Sequence, residues 1–397
     1  MGTERRARAA AGAFFFVQGL CFAGLLAQVP TLQRGLGISD AELTLVLLVV
    51  PVVAGAGSVL AGHLAPRTGS AWLLRVAGPL VAVAVLTTAF APSALVLYPV
   101  VAVVGLLLGV VDATMNMQGV AVQRRYGRSL LNSFHGCWSV GGILGALAAV
   151  LAHGLGWSLA GGLALVAVVG VAVDLAAAPF LDARADGPTS SPAGPVPVVA
   201  AVPVPWRPVL LVGTAVAIVY LADSAVSSWS TKYVADVLAA ADAVAPLGLA
   251  AYLGCQLVGR LAADTVVDRV GPRRTVVVGG TVGAAGLLLV AVAPTPSVAV
   301  LGFGATGLGL SVVVPLAFSV AGALDRTGVA VARVNVFNYV GFVLGAAVVG
   351  GVAELADLRW AFAVPAVLAL GVVALAPAFR PATSDAHRGE VAGTPPR

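Results

Sequence analysis

Asp112 lies in the apolar run VVGLLLGVVDATMNMQGVAVQ, with no other charge before Arg124. A carboxyl group at membrane depth costs on the order of 2.5–3.5 kcal/mol on insertion scales, so such groups face a cavity or a partner. The chemistry open to it is proton exchange, because a carboxyl withdrawn from water holds or releases a proton as its surroundings change. The opposing reading is a structural Asp held by Asn116, one helical turn away. Asp223 in YLADSAVSSW is a second candidate of the same kind. Lys232 is the single lysine, but nine residues of helix set it about 13 Å from Asp223. An outer-gate hydrogen bond is the plainer role for Asp223.

Around these acids stand residues suited to hydroxyls and rings. His135 and Trp138 are three apart in NSFHGCWSV, where an imidazole relays protons and an indole stacks on a sugar ring. Their plain reading is a histidine bonded to a neighbouring helix and an interfacial tryptophan. Asn335, Asn338 and Tyr339 form another polar cluster, and Gln18, Gln28 and Gln256 are isolated amides in apolar runs. Several of these converging would make a polar-substrate site. Asp174 also falls in an apolar run, close enough to its end to reach the membrane surface. Arg260 and Asp264, four apart on one helix face, are expected to pair. No phosphate loop, metal-ligand cluster or Ser/His/Asp arrangement is visible, so neither a cofactor nor an enzyme is expected. Transport without a nucleotide site would be driven by an ion gradient or by the solute's own gradient.

These residues need long apolar elements to hold them. The chain is 59% hydrophobic and 10% charged over 397 residues, with mean hydropathy +1.01. That composition describes a polytopic membrane protein. A spanning helix needs roughly 20 apolar residues. Runs of that size occur near 9–32, 43–64, 73–91, 94–121, 131–153, 157–181, 208–230, 245–264, 275–293, 296–323, 334–353 and 359–379. Of the 22 basic residues, only Arg34, Lys232 and Arg359 fall in loops on one side; the remaining nineteen fall on the other. The positive-inside rule therefore places both termini in the cytoplasm and rejects a nucleic-acid reading of the net charge of +5. The expectation is an all-α membrane protein of twelve transmembrane helices, located in the cell inner (plasma) membrane. Cys21, Cys137 and Cys255 lie within spans and read as packing residues. The start, basic then apolar, resembles a signal peptide, but its length makes it the first helix.

The stretch DARADGPTSSPAGPVPVVAAVPVPWR is rich in Pro and Gly and divides the spans six and six. Its Pro spacing predicts extended, semi-rigid geometry. The expected organisation is a bundle over 1–181, a cytoplasmic linker over 182–207, a second bundle over 208–380 and a disordered tail over 381–397. A shift of 200 residues lays Gly141, Leu144, Gly145 and Ala146 on Gly341, Leu344, Gly345 and Ala346. A second echo joins GHLAPRTG at 62–69 to GRLAADTVVDRVGPRR at 259–274. Both echoes sit at corresponding places in two halves, which points to a duplicated fold.

Over its whole length the chain resembles transporters of the major facilitator superfamily. The resemblance rests on six plus six helices, the central linker and the loop after each half's second helix. The family's loop pattern, Gly-x-Leu-Ala-Asp-Arg-x-Gly, is met by Gly62, Leu64, Ala65, Arg67 and Gly69, with Pro66 in place of the acid. The second copy is met through Gly259, Leu261, Asp264, Asp268, Arg269, Gly271, Arg273 and Arg274. In the family such loops act as cytoplasmic latches, which implies gate roles for Arg67, Arg260, Asp264 and Arg269, with weight shifted to the second copy. DATMNMQ, NSFHGCWSVGGILGA and DSAVSSWSTKYVADVL are similar to a sugar-permease-like branch related to fucose permease. That branch carries an acid in its first helix as well as its fourth; here Asp112 matches the fourth-helix acid and the first helix has none beyond Glu4. The resemblance implies a central cavity lined by the first, fourth, seventh and tenth helices, a substrate such as a sugar, coupled protons and a monomer in the bilayer. Proton-coupled efflux of a drug-like or secondary metabolite remains the alternative, although the Gly-Pro pair typical of such antiporters is absent between 131 and 153. A ligand sensor that does not translocate is a third reading.

Overall fold

The computed structural model describes residues 2–38, 40–182, 204–240, 244, 247–325, 327–355 and 358–380. The interior of the linker and the tail after residue 380 lie outside them, as do the expectations of extended geometry and disorder there. The described residues form helices α1 (Gly2–Leu36), α2 (Asp40–Thr68), α3 (Ser70–Thr87), α4 (Ala94–Tyr126), α5 (Leu131–Gly154), α6 (Leu159–Ala177), α7 (Trp206–Lys232), α8 (Leu247–Val270), α9 (Pro272–Ala291), α10 (Pro296–Leu310), α11 (Val313–Leu324), α12 (Val329–Leu355) and α13 (Leu358–Leu375). Every expected span is met by a helix, except that the tenth is broken into α10 and α11. The break has a local cause. Pro315 has no N–H to give and its ring crowds the carbonyl four residues back, while the Ser311 hydroxyl bonds the Leu308 carbonyl at 2.7 Å.

Ten described helices are long and apolar enough to cross a membrane by themselves. The remaining two expected spans are α5 and α8, and the packing shows why these two tolerate polar residues. They lie against each other where the halves of the molecule meet, so their polar faces point at protein and not at lipid. Large apolar side chains cover the outside instead, among them Val168 on α6, Val278 on α9, Leu301 on α10 and Val367 on α13.

The two halves are built alike. α1 runs along α5 and α2 along α4; α7 runs along α12 and α8 along α10. The glycines of the first echo make equivalent contacts. A Cβ on Gly141 would stand 2.0 Å from the Phe16 carbonyl oxygen, and on Gly145 2.3 Å from that of Leu20. In the other half, a Cβ on Gly341 would meet the Ala217 oxygen at 2.2 Å, and on Gly345 the Leu221 oxygen at 2.5 Å. Only glycine lets these helix backbones approach so closely. The architecture is a twelve-span, two-bundle membrane fold.

One face of the molecule carries the start of α1, the end of α6 and the start of α7; it is called the linker face below. The chain is clamped where the linker leaves and re-enters. The Asp182 carboxylate pairs with Arg125 at 2.9 Å, and Gln118 bonds both the N–H and the carbonyl of Asp182 at 3.0 and 3.2 Å. At the return, the Arg333 guanidinium donates to the Val204 carbonyl at 3.2 Å and lies 4.2 Å from the centre of the Trp206 ring.

Candidate functional site

The acids sit deep. At 1.5 Å per residue, Asp112 is about 21 Å along α4 from its linker-face end, Asp223 about 25 Å along α7 and Arg260 about 15 Å along α8. Asp112 is 7% exposed. Its Oδ2 accepts hydrogen bonds from the Tyr339 hydroxyl at 2.9 Å and the Asn338 amide at 3.1 Å, both on α12 in the other half. Asn116 donates to the Asp112 carbonyl at 2.8 Å and reaches its Oδ1 at 3.5 Å. The carboxyl group therefore bridges the halves at mid-membrane.

His135 continues this line. Its Nε2 lies 3.3 Å from the Asn116 amide oxygen, and its ring packs between Phe15 and Phe318 at centroid distances of 5.1 and 6.2 Å. Trp138 donates its indole N–H to the Gln18 amide oxygen in a close hydrogen bond. Asp223 accepts from the Tyr252 hydroxyl at 2.6 Å and from Gln256 at 3.3 Å. The structure thus gathers Asp112, Asn116, His135, Gln18, Trp138, Asn338, Tyr339, Asp223 and Gln256 into one region between the bundles. Tyr220 on α7 lies within electrostatic reach of Asp112, Asp223 and Arg260 together. Trp138, Ser139, Tyr220, Asp223 and Tyr339 keep partial exposure there. Tyr220 and Tyr252 escaped the sequence reading because a lone tyrosine in an apolar run carries no spacing signal.

Several placements differ from expectation. Arg260 does not pair with Asp264: its Nη1 donates to the Ser139 hydroxyl at 2.6 Å, and its guanidinium lies 5.7 Å from the Trp138 ring centre. Contacts across the interface outweigh the i,i+4 neighbour on its own helix. Lys232 pairs with Asp236, one turn away, and not with Asp223. Gln28 turns away from the centre, its amide nitrogen 2.6 Å from where a Gly162 Cβ would stand on α6. Asn335 donates to Ser58 on α2 at 3.2 Å, toward the linker face, while its amide also lies within hydrogen-bonding reach of Asp112, as the predicted cluster required. Asp174 does not reach the membrane surface; it is wholly buried, both oxygens lack partners, and Oδ2 is 2.7 Å from a Gly78 Cβ position on α3. The bulk of α1 and α3 closes over it.

The linker face is closed by a second cluster. Asp264 accepts from the Ser129 hydroxyl at 2.9 Å, the Asn132 amide at 2.9 Å and backbone N–H at 3.3 Å, and the Ser133 N–H at 2.8 Å and hydroxyl. A carboxylate from α8 thereby caps the N-terminus of α5, where free N–H groups and the helix dipole favour negative charge. Asp268 adds a bond to the Ser129 N–H at 3.2 Å. The corresponding N-terminus of α12 is capped locally, from the loop just before the helix: Asp325 accepts from the Thr327 N–H and the Ala330 N–H, each at 2.7 Å. No carboxylate comes from α2, where Pro66 stands. Arg67 is exposed and bonds the His63 carbonyl of its own helix, and Arg269 is exposed, so neither joins the halves. Gln123 to Ser319 at 3.0 Å and Arg124 to the Asp325 carbonyl at 2.8 Å complete the closure.

Comparisons with known proteins agree with this architecture. A sequence profile of the Major Facilitator Superfamily matches residues 212–395. An uncharacterized MFS-type transporter of Yersinia pestis is 29% identical over 366 residues, covering 91% of this chain and 93% of its own. The solved structure of FucP in the outward conformation superposes with TM-score 0.76 at 15% identity, covering 94% of this chain and 98% of that one. The human organic anion transporter MFSD10 superposes with TM-score 0.73 at 15% identity, covering 94% and 99%. Two bundles of six spans, the profile match over the second half and these likenesses show that the chain shares the fold of major facilitator superfamily transporters and is similar to them over most of its length.

Proposed function

We propose that the protein carries a small polar solute, a sugar or related metabolite, across the membrane together with protons, by alternating access. The observation that carries this reading is the bridge from Asp112 on α4 to Asn338 and Tyr339 on α12. Hydrogen bonds to a charged acceptor are worth about 1.5–3 kcal/mol, roughly twice neutral ones. Taking up a proton on Asp112 weakens the tie between the bundles at mid-membrane; losing it restores the tie. Proton occupancy and bundle arrangement are thereby one equilibrium. The chain Asp112–Asn116–His135 extends this site toward the linker face, and Asp223 with Tyr252 and Gln256 offers a second acid toward the opposite face.

FucP is also known as a fucose:proton symporter, which supports a sugar and a proton as cargo. The charge asymmetry of the loops puts the linker face in the cytoplasm of the cell inner membrane. With that face closed, the arrangement described is outward-facing, the state that takes up solute from outside. A single chain holds the whole site, in keeping with a monomer. The test is proton flux into proteoliposomes against a panel of sugars and lipophilic cations. Sugar-driven proton entry is expected, and Asp112→Asn abolishes accumulation against a gradient while exchange persists. Full accumulation by Asp112→Asn removes proton coupling at this residue, and a response to the cations alone replaces uptake with efflux.

A further inference from the structure

Arg260 has no ionic partner. It is 9% exposed, and no carboxylate lies within ion-pair distance, since the ion pairs among the described residues are Arg125–Asp182 and Lys232–Asp236. Its Nε is buried with no hydrogen-bond partner. Nη1 is committed to Ser139. The edge left free is Nε with Nη2, the pair whose parallel N–H groups match the two oxygens of a carboxylate. A buried guanidinium left unpaired is costly, so its persistence at membrane depth asks for a ligand.

The neighbouring acids are occupied elsewhere. Asp264 is surrounded by donors of the α5 N-terminus, and Asp112 by Asn338, Tyr339 and Asn116. Asp223 is within electrostatic reach of Arg260 but is bonded to Tyr252 and Gln256. Meanwhile the guanidinium is fixed in place: it stacks near Trp138, whose indole is itself held by Gln18. A fixed fork with one edge unpaired is a preorganised anion site, and it lies beside partly exposed Trp138 and Ser139 between the bundles.

We propose that Arg260 binds a carboxylate on the transported solute, making the substrate a small hydroxylated acid rather than a neutral sugar. The inference rests on the reading of the protein as a polar-solute transporter and narrows it. Gln18, Gln256 and the tyrosines then meet hydroxyls, while Arg260 selects the acidic end. A net negative solute also gives the accompanying proton a clear electrical role, since co-transport of one proton makes the pair neutral.

The experiment uses the purified full-length protein and ligand-dependent thermal stabilisation over a concentration series. Glucuronate is compared with glucose, galacturonate with galactose and gluconate with sorbitol, each pair differing in a carboxylate. At least one acid is expected to bind about tenfold or more tighter than its neutral counterpart, the scale of a charged hydrogen-bonded contact. Arg260→Gln abolishes that preference, and Arg260→Lys, which keeps the charge without the fork, recovers only part of it. Neutral sugars binding as tightly as the acids in the wild-type protein overturn the anion site and leave polar-solute transport standing; that comparison needs no variant to fold. A preference that survives Arg260→Gln overturns it equally. Binding of lipophilic cations with none of either series removes both this inference and the proposed function.

Discussion

Asp112 and Asp174 are both carboxyls far from water, and the protein treats them oppositely. Asp112 gathers two donors from α12 of the other half; Asp174 is enclosed by α1 and α3 with no partner for either oxygen. Removing a hydrogen-bonded acceptor leaves its donors unsatisfied at about 1–3 kcal/mol, whereas removing an unpartnered one leaves nothing unpaired. Asp174→Asn is therefore expected to keep the thermal midpoint or raise it, and to leave solute accumulation intact. A fall of several degrees, or loss of accumulation, would show that the carboxyl has work not visible in its contacts. Sequence alone singled out Asp112, because one charge in an apolar run is conspicuous wherever the run packs. It misplaced Asp174 and Arg260 for a shared reason. Depth along a helix and i,i+4 spacing are readable from the chain, but the neighbours that decide burial and pairing come from other helices. Arg260 had Asp264 one turn away and bonded Ser139 on α5 instead.

At the level of elements, α5 and α8 place the Asp264 cluster because they face each other between the bundles, shielded there from lipid. Their amphipathic interface explains how Ser129, Asn132 and Ser133 can sit at one helix start while Asp264 waits on the other helix. The second copy of the loop motif was legible as the stronger one, since Pro66 has no carboxylate; that Asp325 would cap α12 locally was not, because a loop acid gives no periodic signal. The broken tenth span was missed likewise: its apolar run is unbroken, and the single Pro315 acts through backbone geometry. If the Asp264 cap holds the linker face shut, Asp264→Asn, which gives up charged hydrogen bonds worth about 1.5–3 kcal/mol each, opens it. The readout is thiol labelling from the linker face of a cysteine at Met117, which packs against Gly328 beneath the closure. Labelling should rise in Asp264→Asn after the native cysteines are replaced. Arg67→Ala and Arg269→Ala should leave it unchanged, as both side chains are exposed and bridge nothing. Equal labelling in all four proteins would remove the gate role from Asp264.

For the molecule as a whole, hydrogen bonds between the bundles run from mid-membrane to the linker face: Asp112 to α12, Ser58 to the Ala332 carbonyl and to Asn335, Arg260 to Ser139, and the Asp264 and Gln123 contacts below. Among the described residues none joins the bundles nearer the opposite face. A two-bundle fold whose inter-bundle hydrogen bonds, among the described residues, lie on one side is poised to rock about its centre, where the glycine contacts of α1 with α5 and α7 with α12 keep each bundle rigid. Rocking requires the linker-face contacts to part. Cysteines at Gln123 and Ser319, whose side chains meet at 3.0 Å across the bundles, give a way to prevent it. Joined by a short bifunctional thiol reagent, they should abolish transport while leaving solute binding from the opposite face intact, and unreacted protein should transport normally. The site would then load but never unload, since the sole route to the linker side is held shut. Transport at the uncrosslinked rate after complete reaction would mean that solute passes without separation of these faces, and alternating access by bundle rocking would have to be abandoned for this chain.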